Sequence, residues 1–428
     1  MDTDADMDTD EACDRLIEHA AWGDPQAQHE RLAGLRRAAP VVRRETPGFV
    51  PYWHVTRHAD VWRIERAPED WLVEPRSFVG RVEDEERIRA MTGGTLQLIE
   101  SLVSMDDPKH YKHRAVTQGW FMPSNLKKID ARVRVIADAA VERMAGMDGA
   151  CDVAADVAAL YPLRVIMEIL GIPEEDEPKM LTLTQELFGN ADPATARNLD
   201  GDALEGIVAT YMDFVAYFEA LTAKRRENPT DDVASVIANA EVDGEPMGPR
   251  EAMGYYTIVA TAGHDTTSYV TTRAVQALAE DEGLLARLRD DPEGTAPLIV
   301  AEALRMTAPV RHFVRTATRD VTVGGQTIPA GEAAVVWFPS ACRDEDVFAD
   351  PDRFDVDREQ AGPSPAFGTG PHICLGMHLA KLEITRFLEA FGRRVARVAV
   401  TGAPTHLRSN FVGGIRSLPV AFEMRGRG

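Results

Sequence analysis

A lone cysteine in a glycine-rich run carries the first chemical signal: Phe367-Gly368-Thr369-Gly370-Pro371-His372-Ile373-Cys374-Leu375-Gly376. Gly368 and Gly370 permit backbone angles closed to other residues, so the chain can fold tightly around something bulky. Pro371 removes a donor and stiffens the approach. Downstream, Met377, Leu379, Ala380, Leu382, Ile384 and Phe387 recur at helical spacing, which puts Cys374 just before a helix. Free backbone N–H groups and the positive end of the helix dipole stabilise a sulfur anion there. A thiolate ligating haem iron needs that setting, and His372 stands close enough to reach an acidic group on such a cofactor. The competing reading is a buried structural cysteine, the default for a lone Cys. The pattern Phe-x-x-Gly-x-His-x-Cys-x-Gly favours the ligand, since it constrains half of the ten positions.

A second motif lies in the longest helical candidate, about Pro249 to Glu280: Ala262-Gly263-His264-Asp265-Thr266-Thr267. Gly263 and the threonines Thr261, Thr266 and Thr267 are poor choices for a helix interior, and their hydroxyls can bond back to the i−4 carbonyl and bend it. An interrupted helix over a bound haem leaves room for dioxygen and a water, with Asp265 and Thr266 relaying protons. The alternative is a kinked core helix with a satisfied Asp–Thr pair. Asp107-Pro108 reads as a helix start, which sets His110 and Arg114 on one face. Two cationic donors there suit carboxylates; the alternative is a solvated basic face. Glu302 and Arg305, at i, i+3 spacing in a short helix over Pro297–Met306, can pair.

Taken together, these stretches resemble the cytochrome P450 family, from about Phe49 to Phe422 and in the family's motif order. The resemblance implies a mainly α fold with small β-sheets, haem lying between a long distal helix and a proximal cysteine loop. It implies haem b (iron protoporphyrin IX), with Cys374 as the iron's ligand and His110, Arg114, Arg315, Phe367 and His372 as further cofactor-binding residues. Thr266 would orient the protonating water and Asp265 link it to solvent. His264 reads as a neighbour of the oxygen groove facing away, with a second iron ligand as the alternative. Glu302, Arg305 and Arg358 would form a buried network that locks the Cys374 loop, and Ala262, Val310, Phe313, Val314, Phe411 and Val412 would line the substrate pocket. Cys342 stands where many relatives carry asparagine, a departure that bears on packing. Among bacterial members the chain is most similar to the terpineol-hydroxylating type. The implied activity is hydroxylation of a small hydrophobic, terpenoid-like substrate using O₂ and two electrons from a separate ferredoxin and ferredoxin reductase. A peroxide-using haem-thiolate hydroxylase is the alternative enzyme, which intact Asp265 and Thr266 disfavour. A non-catalytic haem sensor or carrier is the alternative outside catalysis.

Composition narrows the rest. A formal charge of −22 argues against nucleic acid and anionic membranes as partners. No apolar run is long enough to span a bilayer, and four scattered cysteines without Cys-x-x-Cys spacing suit a reduced, cytoplasmic setting. Residues 1–12, rich in Asp, read as an acidic mobile tail, and 13–428 as one domain. The stretch Glu74–Arg89 reads as irregular and charged. Lys109, Lys112, Lys127, Lys128 and Arg132 read as a basic docking patch for the electron donor. Helices over Asp176–Phe188 and up to Arg226, joined by a turn-rich break, match the family's lid.

Overall fold

The computed structural model describes residues 8–197, 202–359 and 363–426. Helices make up most of it, and five strands form a sheet at one side. Tyr52–Val55 runs parallel to Ala333–Trp337, which pairs antiparallel with His312–Ala317. Val41–Arg44 and Trp71–Leu72 close the two edges. Val335 and Val336 are fully buried, as both faces of this sheet are covered. A second sheet joins Val395–Val400, Pro419–Met424 and Ala150–Asp152.

The helix that follows Cys374, Met377–Arg394, buries Leu379, Ile384, Phe387, Leu388 and Phe391. It lies against the helices Pro123–Met144 and Pro292–Thr307 in the main hydrophobic core. The long helical candidate is two helices, Pro249–Ala262 and Asp265–Glu280, with Gly263 and His264 between them. Hydroxyls of Thr257, Thr261, Thr266, Thr271 and Thr272 each donate to the carbonyl four residues back. A Cβ at Gly263 would run into the Ile166 side chain, so glycine lets the break pack tightly.

Several boundaries differ from the sequence reading. The expected tail to residue 12 is too long, because a helix runs over Thr9–Ile17 with the Asp8 carboxylate accepting from Asp10 and Glu11 N–H groups. Ala12, Cys13, Leu16 and Ile17 form its buried face, and Arg44 pairs with Asp10 and Asp14. Residues 1–7 of that tail lie outside the described residues. Within Glu74–Arg89 a helix starts at Val82 and runs to Thr92. Its one buried residue is Glu85 rather than an apolar stripe, so periodicity does not announce it. What holds it is a buried pair of Arg76 with Glu85 at 2.6 Å. The helix containing Glu302 begins at Pro292, capped by Asp291, and takes Pro297 into its second turn. Pro297 mimicked a helix start; Asp291-Pro292 uses the same cap chemistry five residues earlier.

Candidate functional site

Cys374 Sγ opens on a cavity of about 950 Å³. The residue is solvent-accessible in itself yet deep inside the fold, because what it faces is this cavity. Its loop is pinned at both ends of the turn. Cys374 N–H donates to Phe367 O at 2.9 Å, and Gly368 and Gly370 take φ of 68° and 69°. A Cβ at Gly370 would also strike the Glu65 carbonyl. Burial pushes the Cys374 thiol up, against the pull of the Gly376 and Met377 N–H groups and the Arg114 guanidinium. The donors expected at a helix start are therefore present, although burial outweighs them.

Cationic side chains gather at the rim. The helix Lys109–Gln118 carries His110 and Arg114 one turn apart, and Arg114 Nη2 donates to Ile373 O at 2.8 Å. The helix begins one residue later than the sequence suggested, with Pro108 rather than Asp107 at the cap, although the Asp107 carboxylate still accepts from Tyr111 N–H at 3.0 Å. The His110 ring lies 4.0 Å from that of His372. His110 Nε2 is buried and without a hydrogen-bond partner. Burial, with Arg315, His110 and Arg114 nearby, pushes the His372 pKa down to about 2. Arg315, expected in the same set, is buried but does not line this cavity, and it is already paired with Glu65 at 2.9 Å, a partner that sequence reasoning missed. An orphaned imidazole nitrogen, an Arg, a neutral His and a cysteine facing one cavity fit a haem whose carboxylates meet this rim.

The opposite wall is the broken helix: Thr261, Ala262, Gly263, Thr266, Thr267 and Val270 line the cavity. Thr266 Oγ1 donates to Ala262 O at 2.6 Å. Asp265 is buried but does not line the cavity; burial raises its pKa, opposed by His264. His264 faces away from the cavity, as expected. Of the expected substrate-lining residues, Ala262, Val310, Phe313, Phe411 and Val412 reach the cavity. Val314 does not. Side chains alternate along the strand His312–Ala317, so Phe313 faces the cavity and Val314 enters the core beneath the N-terminal helix. Phe78 and Phe188, which the sequence reading passed over, flank Phe411 with ring centroids at 5.3 and 6.2 Å.

Glu383 was also missed. It is buried, its Oε2 has no partner, and its Oε1 accepts from Thr267 Oγ1 at 3.4 Å. Burial drives its pKa well above the usual carboxylate value. The available signal was an acid in step with Leu379 and Phe387 on a buried helix face.

Beneath the loop, Glu302 accepts two hydrogen bonds from fully buried Arg305, at 2.7 and 2.8 Å, and one from Arg358 at 3.2 Å. Burial raises the Glu302 pKa, but the Arg305 guanidinium outweighs it and the net shift is downward. Arg305 also donates to Cys342 O and Pro351 O, so the three residues staple the segment 342–358. The expected basic patch is largely neutralised: Lys109 pairs with Glu100 and Glu251, Lys112 with Asp243 and Arg132 with Glu168. Lys127 and Lys128 are exposed. Among the described residues no helix is long and apolar enough to cross a membrane.

Comparison with known proteins agrees with this geometry. The family model for cytochrome P450 matches residues 296–394. Cytochrome P450-terp of Pseudomonas sp is 39% identical over 407 residues, covering 94% of this chain and 95% of its own. Linalool 8-monooxygenase of Pseudomonas putida is 30% identical over 395 residues, covering 92% and 95%. The crystal structure of CYP108D1 from Novosphingobium aromaticivorans superposes with a TM-score of 0.90 at 42% identity, over 97% of this chain and 99% of that one.

Proposed function

The chain belongs to the cytochrome P450 family of monooxygenases, and from that premise we propose that it hydroxylates a small, terpenoid-like hydrophobic molecule. The reaction is R–H + O₂ + 2 e⁻ + 2 H⁺ → R–OH + H₂O, with the electrons delivered by a separate ferredoxin and its reductase. The observation that carries this reading is a single large cavity with Cys374 on one wall and the broken, threonine-bearing helix on the other. Haem b would be held by Cys374, with His110, Arg114 and His372 available to its carboxylates, and would supply the oxidising chemistry when bound. The protein's share is binding, orientation and proton control. Arg315 stands behind this set, paired with Glu65, which itself lines the cavity.

Substrate lies against Ala262, Val310, Phe313, Phe411 and Val412, an apolar surface that orients by shape more than by hydrogen bonds. Phe188 and Phe411 keep water out on the lid side. Thr266 holds a water at the break in the helix, with its own hydroxyl proton anchored on Ala262 O. Asp265 stores the proton that this water passes on, a role suited to a carboxyl whose pKa burial has raised. The terpenoid preference rests on the named activity of the Pseudomonas putida relative and on the cavity's apolar walls. Lys127 and Lys128, exposed on the helix Pro123–Met144, leave a small basic surface for an acidic ferredoxin.

The test is the absorbance of the purified protein, ferric and then reduced under carbon monoxide. A carbonyl band near ~450 nm is expected for thiolate ligation, and its loss in Cys374→Ser with haem still bound is the matching control. Titration of linalool against the ferric spectrum then reads displacement of the iron-bound water. A carbonyl band of the ordinary haem type in the wild-type protein overturns the assignment of Cys374.

A further inference from the structure

His264 sits in the helix break, fully buried, with three partners from three different segments. Its Nε2 lies 2.6 Å from Ala159 O. A carbonyl only accepts, so Nε2 carries a proton. Nδ1 lies 2.8 Å from Thr184 Oγ1 and 3.3 Å from Asp265 Oδ1. Thr184 belongs to the helix Glu177–Phe188, the first half of the lid, and shares a face with Leu187 and Phe188, which line the cavity. We infer that His264 is the positioning residue for the Asp265 carboxyl and that Thr184 makes this hold depend on the placement of the lid helix.

The argument is one of hydrogen-bond supply. In the Nε2–H tautomer the imidazole offers one lone pair at Nδ1. Two donors compete for it: the Thr184 hydroxyl and the carboxylic acid form of Asp265, which burial favours. The Thr184 hydroxyl has a second acceptor, Leu181 O at 3.1 Å. When its proton points to His264, the lone pair is taken and the Asp265 carboxyl is released. When it points to Leu181 O, Asp265 is held on the imidazole, on the side away from the cavity. His264 and Thr184 are fully buried and Asp265 nearly so, and in so low a dielectric an unpaired polar group is costly, which sharpens the choice between the two settings. A substrate pressed on Leu187 and Phe188 fixes the helix turn that carries Thr184. Occupancy of the pocket is thereby communicated to the carboxyl that handles the proton.

The inference rests on the reading of Asp265 and Thr266 as the proton-handling pair, and the test separates the two. The holoenzyme, labelled with ¹⁵N-histidine, is studied as its diamagnetic ferrous carbonyl form by ¹H–¹⁵N correlation through the imidazole rings. His264, assigned by its loss in His264→Asn, is expected as the Nε2–H tautomer, with an Nδ1 resonance that moves in both Asp265→Asn and Thr184→Val. An Nδ1 resonance indifferent to Asp265→Asn overturns the inference.

Product formed from linalool per NADH consumed, with a surrogate ferredoxin and reductase, gives the functional arm. His264→Gln keeps a donor for Ala159 O but loses the Nδ1 position, and is expected to lower the yield about tenfold. His264→Asn keeps a polar atom near the Nδ1 position and loses the Ala159 contact; it is expected to retain severalfold more yield than His264→Gln. The reverse order means that His264 serves only to anchor Ala159, and overturns the inference. If Asp265→Asn itself leaves the yield intact, the relay reading fails. If Asp265→Asn lowers the yield and both His264→Gln and Thr184→Val do not, only the present inference fails.

Discussion

Replacing Glu302 by alanine should detach the cysteine loop from its foundation, and the size of the effect can be worked from the geometry. The carboxylate accepts four hydrogen bonds: two from Arg305, one from Arg358 and one from Asp355 N–H at 3.0 Å. Charge-assisted bonds contribute about 1.5–3 kcal/mol each when counted singly, but they share one anion and do not add. The governing quantity is the cation left behind. Arg305 is fully buried, and after the substitution it keeps only neutral carbonyls, those of Cys342 and Pro351 among them. Stranding one partner of a buried pair costs about 3–5 kcal/mol, a large share of the roughly 5–15 kcal/mol that holds a typical fold. The loss should fall on the segment from Cys342 to Arg358, whose carbonyls the two arginines gather, and pass to the Cys374 loop. Cys342 touches Ser364 at 3.5 Å, and Ser364 starts the turn that leads to Phe367. The assay is urea unfolding of the holoenzyme alongside the reduced carbonyl spectrum. Glu302→Ala should lose about 3–5 kcal/mol and convert much of the thiolate-type carbonyl band to the ordinary haem type. Arg132→Ala, which breaks an exposed pair with Glu168, should cost under about 1 kcal/mol. A Glu302→Ala protein within about 1 kcal/mol of wild type, with its carbonyl band intact, would refute the argument from the stranded cation.

Other outcomes follow from the same geometry. On the proposed relay, Thr266→Ala removes the hydroxyl that would steady water at the helix break; product per electron pair should fall about tenfold and hydrogen peroxide release should rise, with linalool binding unchanged. Gly370→Ala combines a left-handed backbone angle with a collision against Glu65 O, and the purified protein should contain markedly less haem by pyridine haemochrome assay. Acid should destabilise the fold steeply. Burial depresses His19 and His54 to about 4, His312 to about 3 and His372 to about 2. Each is neutral when folded and takes up a proton when unfolded below the ordinary value of about 6.5, so its contribution is full above that pH and declines as pH falls toward the folded value. Unfolding free energy measured by urea between pH 7 and 5 should fall by up to about 1.4 kcal/mol per pH unit for each such histidine, and His312→Asn should make the slope shallower.

What the sequence disclosed divides along a physical line. The Cys374 loop was readable because its chemistry needs rare residue types at fixed spacing, and the helix break because threonines and a glycine contradict their surroundings. Contacts between distant strands left no local mark: the pairing of Tyr52–Val55 with Ala333–Trp337 cannot be seen in either segment. Glu65 ends a helix far from Arg315 in the chain, and nothing in its neighbours announces the ion pair. Val314 was misplaced because a strand's two faces look alike when both are apolar. The helix Val82–Thr92 was missed because a buried ion pair, rather than an apolar stripe, secures it. The N-terminal helix was legible in principle, since Ala12, Cys13, Leu16 and Ile17 already lay one turn apart behind the run of aspartates.

That N-terminal segment bears on how this enzyme's chemistry can diversify. Ile17, Glu18, His19 and Ala20 line the cavity, and Asn410 beside Phe411 ties back to Ile17 O at 2.6 Å and to His19 at 3.2 Å. Part of the pocket wall thus comes from residues 17–20, far in sequence from the residues 296–394 by which the family is recognised. Mutations there can reshape what is admitted without disturbing Cys374, the helix break or the ion network beneath the loop. Substrate range can therefore drift in a lineage while the oxidative machinery stays fixed, and two relatives alike in every catalytic motif can part company in this segment.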